Sequence, residues 1–319
     1  MPEDPEESYI IRAITQRVPP PTGGVLVGPG DDAAVLDDGT VITADAMVEG
    51  VHWDERLSPA DVGWKLAAVN ASDVASCGAR PTWAVLTMSL PLPIDRPWVD
   101  AFAEGLAEGC RRFGLGIIGG DTTGSTGPRA LSLTAAGKLA GPALLRTGGQ
   151  PGHDLWVSGV LGDADAALRG DERLLHALRR PDPPVALGPA LAAAGLASAA
   201  MDLSDGLARD LPRLCAASGL SASVDPARLP ASDALRASDD RLLHQAGGGE
   251  DYQLLFAAAP EDRAAVEALG ATLGLRLTRV GAFDAAAPRG IPEAVLIGRA
   301  WPTPWSHFEA PPLILNSDR

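Results

Sequence analysis

The sequence predicts a two-domain α/β protein of the α+β type, and three observations support this class. The chain has 319 residues, which is enough for two domains of ordinary size. Short apolar runs bounded by Gly, Asp or Pro alternate with helix-start and helix-end signals, which predicts strands mixed with helices. A connection rich in Gly and Pro, GPALLRTGGQPGHD, interrupts this pattern at 141–154. We therefore expect one domain at 1–140 and a second at 141–319.

Two helices dominate the predictions for the first domain. The segment from Ser58 to Asp61 combines an N-cap, a Pro at the first helical position and an acidic first turn, so a helix is expected over 58–78. A second helix is expected over 95–113, with Gly114 ending it. Strands are predicted at 25–28, 41–44, 83–90, 115–118 and 130–139.

The second domain begins with a predicted strand at 155–160. An alanine-rich, mainly helical stretch is expected to follow as far as residue 200. Further helices are predicted at 205–217 and 261–269, and further strands at 220–224 and 253–258.

Charge and composition exclude several classes of protein. The formal net charge of −15 makes the chain a poor binder of nucleic acid or of an anionic membrane surface. The three cysteines form no CxxC pair, so neither a disulfide framework nor a thiolate zinc site is predicted. The acidic start MPEDPEESYI lacks the apolar centre of a signal peptide, and no run of about 18 apolar residues predicts a membrane span. We expect a cytoplasmic protein.

Carboxylates recur beside glycines and at the ends of apolar runs. The six segments are GPGDD at 28–32, TAD at 43–45, NASD at 70–73, GGDTT at 119–123, MDLSDG at 201–206 and GGED at 248–251. Any one of them is explained by turn chemistry or an N-cap, but the recurrence favours carboxylates that converge in space. Two unit charges 4 Å apart repel by roughly 4 kcal/mol at an effective dielectric of 20, so such a cluster needs cations or protons. Oxygen ligands of this kind suit Mg²⁺.

The predicted helix 58–78 carries a narrow polar strip on a mostly apolar surface. Asn70, Asp73 and Ser76 are three residues apart and therefore share one face. The strip is either a solvated stripe or part of the same oxygen-rich site.

Three familiar nucleotide and metal motifs are absent or misplaced. The segment GLGIIG at 114–119 matches the dinucleotide fingerprint in its letters, but a predicted helix precedes it and a strand runs through it, in the wrong order. Lys65 and Lys138 are the only lysines, and neither lies in a Walker A loop. The five histidines are scattered and predict no metal site.

Two single residues each admit two interpretations. Arg146, beside Thr147-Gly148-Gly149, either clamps phosphate oxygens or is a surface arginine in a loop. Trp305 is either a core residue or a stacking surface for an aromatic ligand. Many acidic ligands without a lysine loop indicate phosphoryl chemistry assisted by several Mg²⁺ ions.

A series of segments, in order along the chain, carries a resemblance to a known family. The segments are GPGDDAAV, TADAMVEGVHW, AAVNASDVASCGARP, IGGDTT, LLRTGGQPGHD, AMDLSDGLARDL and GGGEDYQLLF. The chain resembles thiamine-monophosphate kinases, of the superfamily of aminoimidazole ribonucleotide synthetase and selenophosphate synthetase.

The resemblance implies transfer of phosphate from ATP, as co-substrate, to thiamine monophosphate, giving ADP and thiamine diphosphate. It implies a PurM-like fold in which the N-terminal mixed sheets of two subunits join in a β-barrel. The partners it implies are therefore ATP, thiamine monophosphate and a second copy of the chain. The C-terminal α/β domain would complete an active-site cleft near the partner subunit.

The resemblance also implies roles for individual residues. The expected Mg²⁺ ligands are Asp32, Thr43, Ala44, Asp45, Asp73, Asp121, Asp202 and Asp205. The expected ATP contacts are Phe113, Gly120, Asp121, Arg146 and Ser204, and the expected thiamine-phosphate contacts are His52, Glu250 and Trp305. Ala44 departs from a frequent threonine, so only its backbone carbonyl could be a ligand. Phe113 departs from a frequent tyrosine and lacks its hydroxyl.

The acceptor is itself a phosphate and needs no general base, so direct in-line transfer without a phosphoenzyme is expected. One alternative is a sister enzyme of the superfamily with another acceptor, of the aminoimidazole ribonucleotide synthetase type. Another is a non-catalytic scaffold that binds ATP.

Overall fold

The structure, a computed structural model, describes residues 5–284 and 293–302. They form two six-stranded mixed sheets with helices packed against them, as the predicted α/β class requires. Trp305, a predicted substrate contact, lies outside the described residues. Within the described ranges, no helix combines the length and the apolar character needed to cross a membrane.

The first sheet is built entirely from the first half of the chain. Its strands are β1 (Val25–Val27), β2 (Ala34–Leu36), β3 (Thr40–Val48), β4 (Ala79–Pro91), β5 (Gly116–Ser125) and β6 (Ala130–Leu139). They lie in the order β1-β2-β3-β6-β4-β5. Only the β4–β5 pair is parallel, and β5 forms one edge of the sheet.

Three helices belong to this half: α1 (Pro5–Thr15), α2 (Pro59–Ser76) and α3 (Arg96–Phe113). Ser58 and Asp61 close the predicted capping box at the start of α2. The two longer helices, α2 and α3, cross in close contact. A Cβ on Gly63 of α2 would lie only 2.3 Å from the Phe102 carbonyl oxygen of α3. Gly114 ends α3 with φ 80°, in the left-handed region that favours glycine.

The second sheet comes from the second half. Its strands are β7 (Asp154–Ser158), β8 (Ala199–Leu203), β9 (Ala222–Val224), β10 (Gln253–Ala258), β11 (Leu277–Phe283) and β12 (Ala294–Leu296), in the order β12-β9-β11-β7-β10-β8. The helices of this half are α4 (Asp163–Leu168), α5 (Leu175–Arg179), α6 (Leu187–Ala194), α7 (Leu207–Ser218), α8 (Asp233–Arg236), α9 (Arg241–Gly247) and α10 (Arg263–Leu273). β8 is therefore an edge strand whose end leads directly into α7.

The two halves share a hydrophobic core. Ala166 and Ala167 of α4 and Leu178 of α5 are buried in the same cluster as Leu66 and Val74 of α2. This packing brings α2 of the first half against β8 of the second. The polar strip of α2 consequently lies at the junction of the halves.

The stretch predicted as mainly helical up to residue 200 contains the short helices α4, α5 and α6 and ends in β8. Pro181, Pro183 and Pro184 lie between α5 and α6. The segment 114–119 is confirmed as unrelated to dinucleotide binding, because Gly114 ends α3 and the following residues enter β5.

Candidate active site

The polar strip of α2 faces β3. Thr43 and Asp45 point to the same side of β3, since alternate residues of a strand share a face. The Thr43 hydroxyl donates to Asp73 Oδ2 at 2.7 Å, and the Asp45 backbone N–H donates to Asn70 Oδ1 at 3.1 Å. The strip is therefore part of an oxygen-rich site and not a solvated stripe.

Asp32, in the turn before β2, links both halves of the chain. Its Oδ2 accepts hydrogen bonds from the Ser76 hydroxyl at 2.6 Å and from the Asp202 backbone N–H at 3.1 Å. Its Oδ1 accepts from Arg146 Nε at 2.8 Å. The Asp32 side chain is 1% exposed, so this ion pair is buried.

The end of β8 and the start of α7 bring three further carboxylates to the same place. Asp202 Oδ2 accepts from the Ser72 hydroxyl of α2 at 2.7 Å. Asp210, fully buried in α7, accepts from the Asp205 backbone N–H at 3.0 Å. Arg213 donates to Asp205 at 2.7 Å and to Asp210 at 3.0 Å, so one guanidinium holds both side chains.

These carboxylates lie in one another's electric field. We call them the acidic cluster: Asp32, Asp45, Asp73, Asp202, Asp205 and Asp210. Burial, with repulsion from Asp205, Glu250 and Asp32, raises the pKa of Asp45 to about 6. Burial and repulsion from other members of the cluster raise the pKa of Asp73 and of Asp202 well above the usual range.

Cations border the acidic cluster. Burial opposes the charged form of Arg146, but the carboxylates of Asp32 and Asp31 outweigh it and raise the pKa of this guanidinium. Burial and the Asp205 charge raise the pKa of Asp210 to about 8, against the attraction of Arg213. The site thus concentrates negative charge in a buried place and only partly neutralises it.

His52 and Glu250, two predicted substrate contacts, meet at Lys65 of α2. The Lys65 ammonium lies 2.5 Å from Glu250 Oε2 and donates to the His52 carbonyl oxygen at 3.3 Å. His52 Nδ1 accepts the Val48 backbone N–H at 3.0 Å, so a neutral ring carries its proton on Nε2. Glu250 also contributes to the field at Asp45, which places this group beside the acidic cluster.

Two other predicted residues lie at the border of the site. Ala44 points to the opposite side of β3 from Thr43 and Asp45. A hydroxyl at this position would therefore point away from the acidic cluster, and the departure from threonine costs the site no side-chain ligand. Ser204 follows β8, and its carbonyl accepts the Glu250 N–H at 2.8 Å.

Three predicted residues are not brought to the acidic cluster within one chain. Gly120 and Asp121 lie on β5, where the pairing Asp121–Thr87–Ser132–Ala46 runs across four strands. At about 4.8 Å per strand, Asp121 is roughly 14 Å from β3. Phe113 is 2% exposed and packs edge-on against Trp64 at 5.2 Å, which leaves little of its surface for a nucleotide.

The donor set fits Mg²⁺ in its chemistry. All side-chain ligands are hard oxygens, and their mutual repulsion favours a bound cation. In the described part of the chain, no three His, Cys, Asp or Glu side chains are arranged to hold a metal ion by themselves. Mg²⁺ usually takes one or two carboxylates and completes its shell with water and substrate phosphates.

Sequence reasoning missed three residues of this site: Asp210, Arg213 and Lys65. Asp210 lies within the segment AMDLSDGLARDL, but its spacing from Asp205 resembles an ordinary helix-start acid. Lys65 had a usable signal, because it is one of two lysines among 26 basic residues and lies on a mostly apolar helix.

Comparison with known proteins identifies the class. Residues 30–139 match the family model of the AIR synthase related protein N-terminal domain, and residues 155–290 match that of its C-terminal domain. The chain therefore belongs to the AIR synthase related proteins.

Curated and solved relatives narrow this class. The chain is 38% identical over 281 residues to thiamine-monophosphate kinase of Salmonella typhimurium strain LT2, covering 82% of this chain and 85% of the relative. It matches the crystal structure of thiamine-monophosphate kinase from Stenotrophomonas maltophilia K279a with TM-score 0.74 and 40% identity, over 90% of this chain and 94% of that one. It matches the structure of AaThiL complexed with AMPPCP and TMP with TM-score 0.79 and 26% identity, over 95% and 96% of the two chains. The chain belongs to the thiamine-monophosphate kinase family.

Proposed function

We propose that this chain transfers the γ-phosphoryl group of ATP to thiamine monophosphate, forming thiamine diphosphate and ADP. The observation that carries the proposal is the gathering of the acidic cluster beside Arg146 and beside the pair His52 and Glu250. The acidic cluster with Arg146 suits a polyphosphate and its cations, and the pair His52 and Glu250 suits the acceptor. The relative AaThiL was solved with AMPPCP and TMP together, which supports this choice of the two substrates.

Several Mg²⁺ ions would be held by the acidic carboxylates. The proposed ligands are Asp32, Asp45, Asp73, Asp121, Asp202 and Asp205, with the Thr43 hydroxyl and the backbone carbonyl of Ala44. When bound, Mg²⁺ neutralises the charge of the phosphates and aligns donor and acceptor. Repulsion among the carboxylates without a cation is the feature of this chain that favours the role.

The remaining proposed contacts divide between the two substrates. Arg146, Ser204, Gly120, Asp121 and Phe113 are proposed for ATP, and His52, Glu250 and Trp305 for thiamine monophosphate. Arg146 is bound to Asp32 in this structure, so its guanidinium already points into the acidic cluster, where phosphate oxygens would lie. The fork of N–H donors on a planar guanidinium fits either a carboxylate or a phosphate.

The reaction needs no general base. The acceptor phosphate is an oxyanion near neutral pH, and one of its oxygens forms the new bond to the γ-phosphorus. The bond from the γ-phosphorus to the bridging oxygen breaks, and ADP leaves with the electron pair. The chain's contribution is to orient the two substrates and to offset their repulsion. A phosphorylated protein able to pass its phosphate to the acceptor, seen by rapid quench, would contradict direct transfer.

A homodimer in the cytoplasm is the proposed state of the chain. The edge strand β5 spans ten residues, and Ile117 and Ile118 are 44% and 65% exposed. An exposed edge strand of this length pairs readily with another chain. We also propose that the chain divides into its two domains after residue 140.

The test is an ADP-release assay with purified chain, ATP and Mg²⁺. Thiamine monophosphate is compared with thiamine, hydroxymethylpyrimidine phosphate and formylglycinamidine ribonucleotide as acceptors, and the product is identified by chromatography. Of the four acceptors, we expect only thiamine monophosphate to react, giving ADP and thiamine diphosphate in equal amounts. ADP release with formylglycinamidine ribonucleotide instead would identify the sister enzyme. ATP binding without turnover on any acceptor would identify a scaffold.

A further inference from the structure

Lys65 is a buried cation outside the acidic cluster. Its side chain is 2% exposed, and its ammonium bonds to Glu250 Oε2 at 2.5 Å and to the His52 carbonyl oxygen at 3.3 Å. These two contacts come from different halves of the chain, one from the turn after β3 and one from the segment before β10. We propose that Lys65 is a positioning residue for the acceptor substrate: it fixes Glu250 and the His52 turn where thiamine monophosphate binds. The inference rests on the function proposed above.

The Glu250 segment needs such a restraint. Glu250 has φ 72° and Tyr252 has φ 48°, both in the left-handed region that residues other than glycine rarely adopt. Unfavourable backbone geometry persists where surrounding contacts hold it, and such geometry concentrates at ligand sites. Backbone bonds from Glu250 to Ser204 and from Tyr252 to Leu203, both 2.8 Å, fix the main chain. The ion pair with Lys65 fixes the side chain.

The Lys65 ammonium also stabilises the negative charge of Glu250. Glu250 is 25% exposed and repels the Asp45 carboxylate. The Lys65 ammonium, which is ion-paired to Glu250, offsets this repulsion and keeps the carboxylate in place. Thiamine monophosphate carries a positively charged thiazolium, for which a fixed carboxylate is a suitable partner.

The choice of lysine fits the enclosed position. The chain has 26 basic residues and uses lysine at only two positions, 65 and 138. A compact ammonium with three rotatable donors can serve a carboxylate and a carbonyl at different angles, whereas a guanidinium presents its donors in a rigid plane. Position 65 is therefore expected to reject arginine.

The test compares Lys65→Met with Lys138→Met. Lys138 is the matched control, because it too is ion-paired, to Asp38 at 2.8 Å, but its side chain is 55% exposed and lies outside the site. For Lys65→Met we expect the KM for thiamine monophosphate to rise at least about tenfold, while the KM for ATP changes less than about threefold. Lys138→Met should change neither. A purely structural role would lower the melting temperature of Lys65→Met without separating the two KM values, and that result would overturn the inference.

A second measurement needs no change at position 65. Lysine labelled with ¹³C at Cε gives one NMR signal for each of the two lysines, and the Lys138→Met spectrum assigns them. Thiamine monophosphate should move the Lys65 signal and leave the Lys138 signal in place. If the wild-type chain turns over thiamine monophosphate and its Lys65 signal does not move, the inference fails and the proposed function stands. If the wild-type chain does not phosphorylate thiamine monophosphate, the proposed function itself fails.

Discussion

Replacing Asp45 by asparagine removes a charge that burial and the neighbouring carboxylates both disfavour. Within the described residues the Asp45 side chain makes no hydrogen bond, and the bond to Asn70 uses the Asp45 backbone N–H, which the variant keeps. The substitution therefore removes a charge and little else. Without metal we expect Asp45→Asn to be more stable than the wild-type chain at pH 8.

The magnitude follows from the pKa of Asp45. Burial and repulsion raise this pKa from 3.8 to about 6, and each unit corresponds to about 1.4 kcal/mol. Because the folded state holds the proton more tightly than the unfolded state, stability falls as the pH rises from about 4 to about 6 and stays low above that window. The gain in the free energy of unfolding at pH 8 is thus at most about 3 kcal/mol, and it falls below about 1 kcal/mol at pH 4.

The assay is urea unfolding followed by circular dichroism, in EDTA, at pH 4 and pH 8. Asp38→Asn is the control. The hydrogen bond from Lys138 lowers the pKa of the exposed Asp38, so removing its charge should not raise the free energy of unfolding. An Asp45→Asn variant no more stable than the wild-type chain at pH 8 would refute the reasoning. It would mean that neither burial nor the neighbouring carboxylates disfavour the Asp45 charge in the folded protein.

Three further predictions concern activity and assembly. Asp73→Asn should lower kcat at least about 100-fold with an unchanged circular dichroism spectrum, because it removes a buried carboxylate from the acidic cluster; near-normal turnover would exclude Asp73 from the metal set. Ala44→Thr should leave the Mg²⁺ dependence of the rate within about twofold, because this side chain points away from Asp45; a larger change would place residue 44 at the metal. Ile118→Asp on β5 should convert a dimer to a monomer in light scattering after gel filtration, and a persistent dimer would exclude this edge.

Local signals predicted the helices of the first half well. Ser58 and Asp61 form a capping box that satisfies backbone N–H groups at the start of α2, and Pro59 takes the first helical position. Four consecutive residues are enough to predict this helix start. Gly114 ends α3 for an equally local reason, since its left-handed φ suits only a residue without a side chain.

Strands defined by distant partners were harder to predict. β8 is a short segment of mostly small and apolar residues that a helix could equally contain, and its pairing with β10 makes it a strand. The predicted strand at 115–118 extends to Ser125, because β4 provides a parallel partner along its whole length.

The carboxylates of the acidic cluster were largely predictable from the sequence, but several of the side chains that hold them in place were not. Asp32, Asp45, Asp73 and Asp202 were recognisable beside glycines and at strand ends. Ser72 of α2 holds Asp202 of β8, and Arg213 of α7 holds Asp205 before that helix. A single sequence carries no periodic signal for such contacts. Phe113 shows the converse, since a position inferred from resemblance turns out to be buried against Trp64.

Carboxylates distant in sequence are proposed to hold divalent ions between two phosphorylated substrates. Anomalous diffraction from crystals grown with Mn²⁺, a non-hydrolysable ATP analogue and thiamine monophosphate tests this proposal most directly. We predict manganese peaks within about 2.3 Å of carboxylate oxygens from Asp45, Asp73 and Asp202, and of the nucleotide phosphates. Peaks bound to the phosphates alone, with these three side chains turned away, would contradict the account.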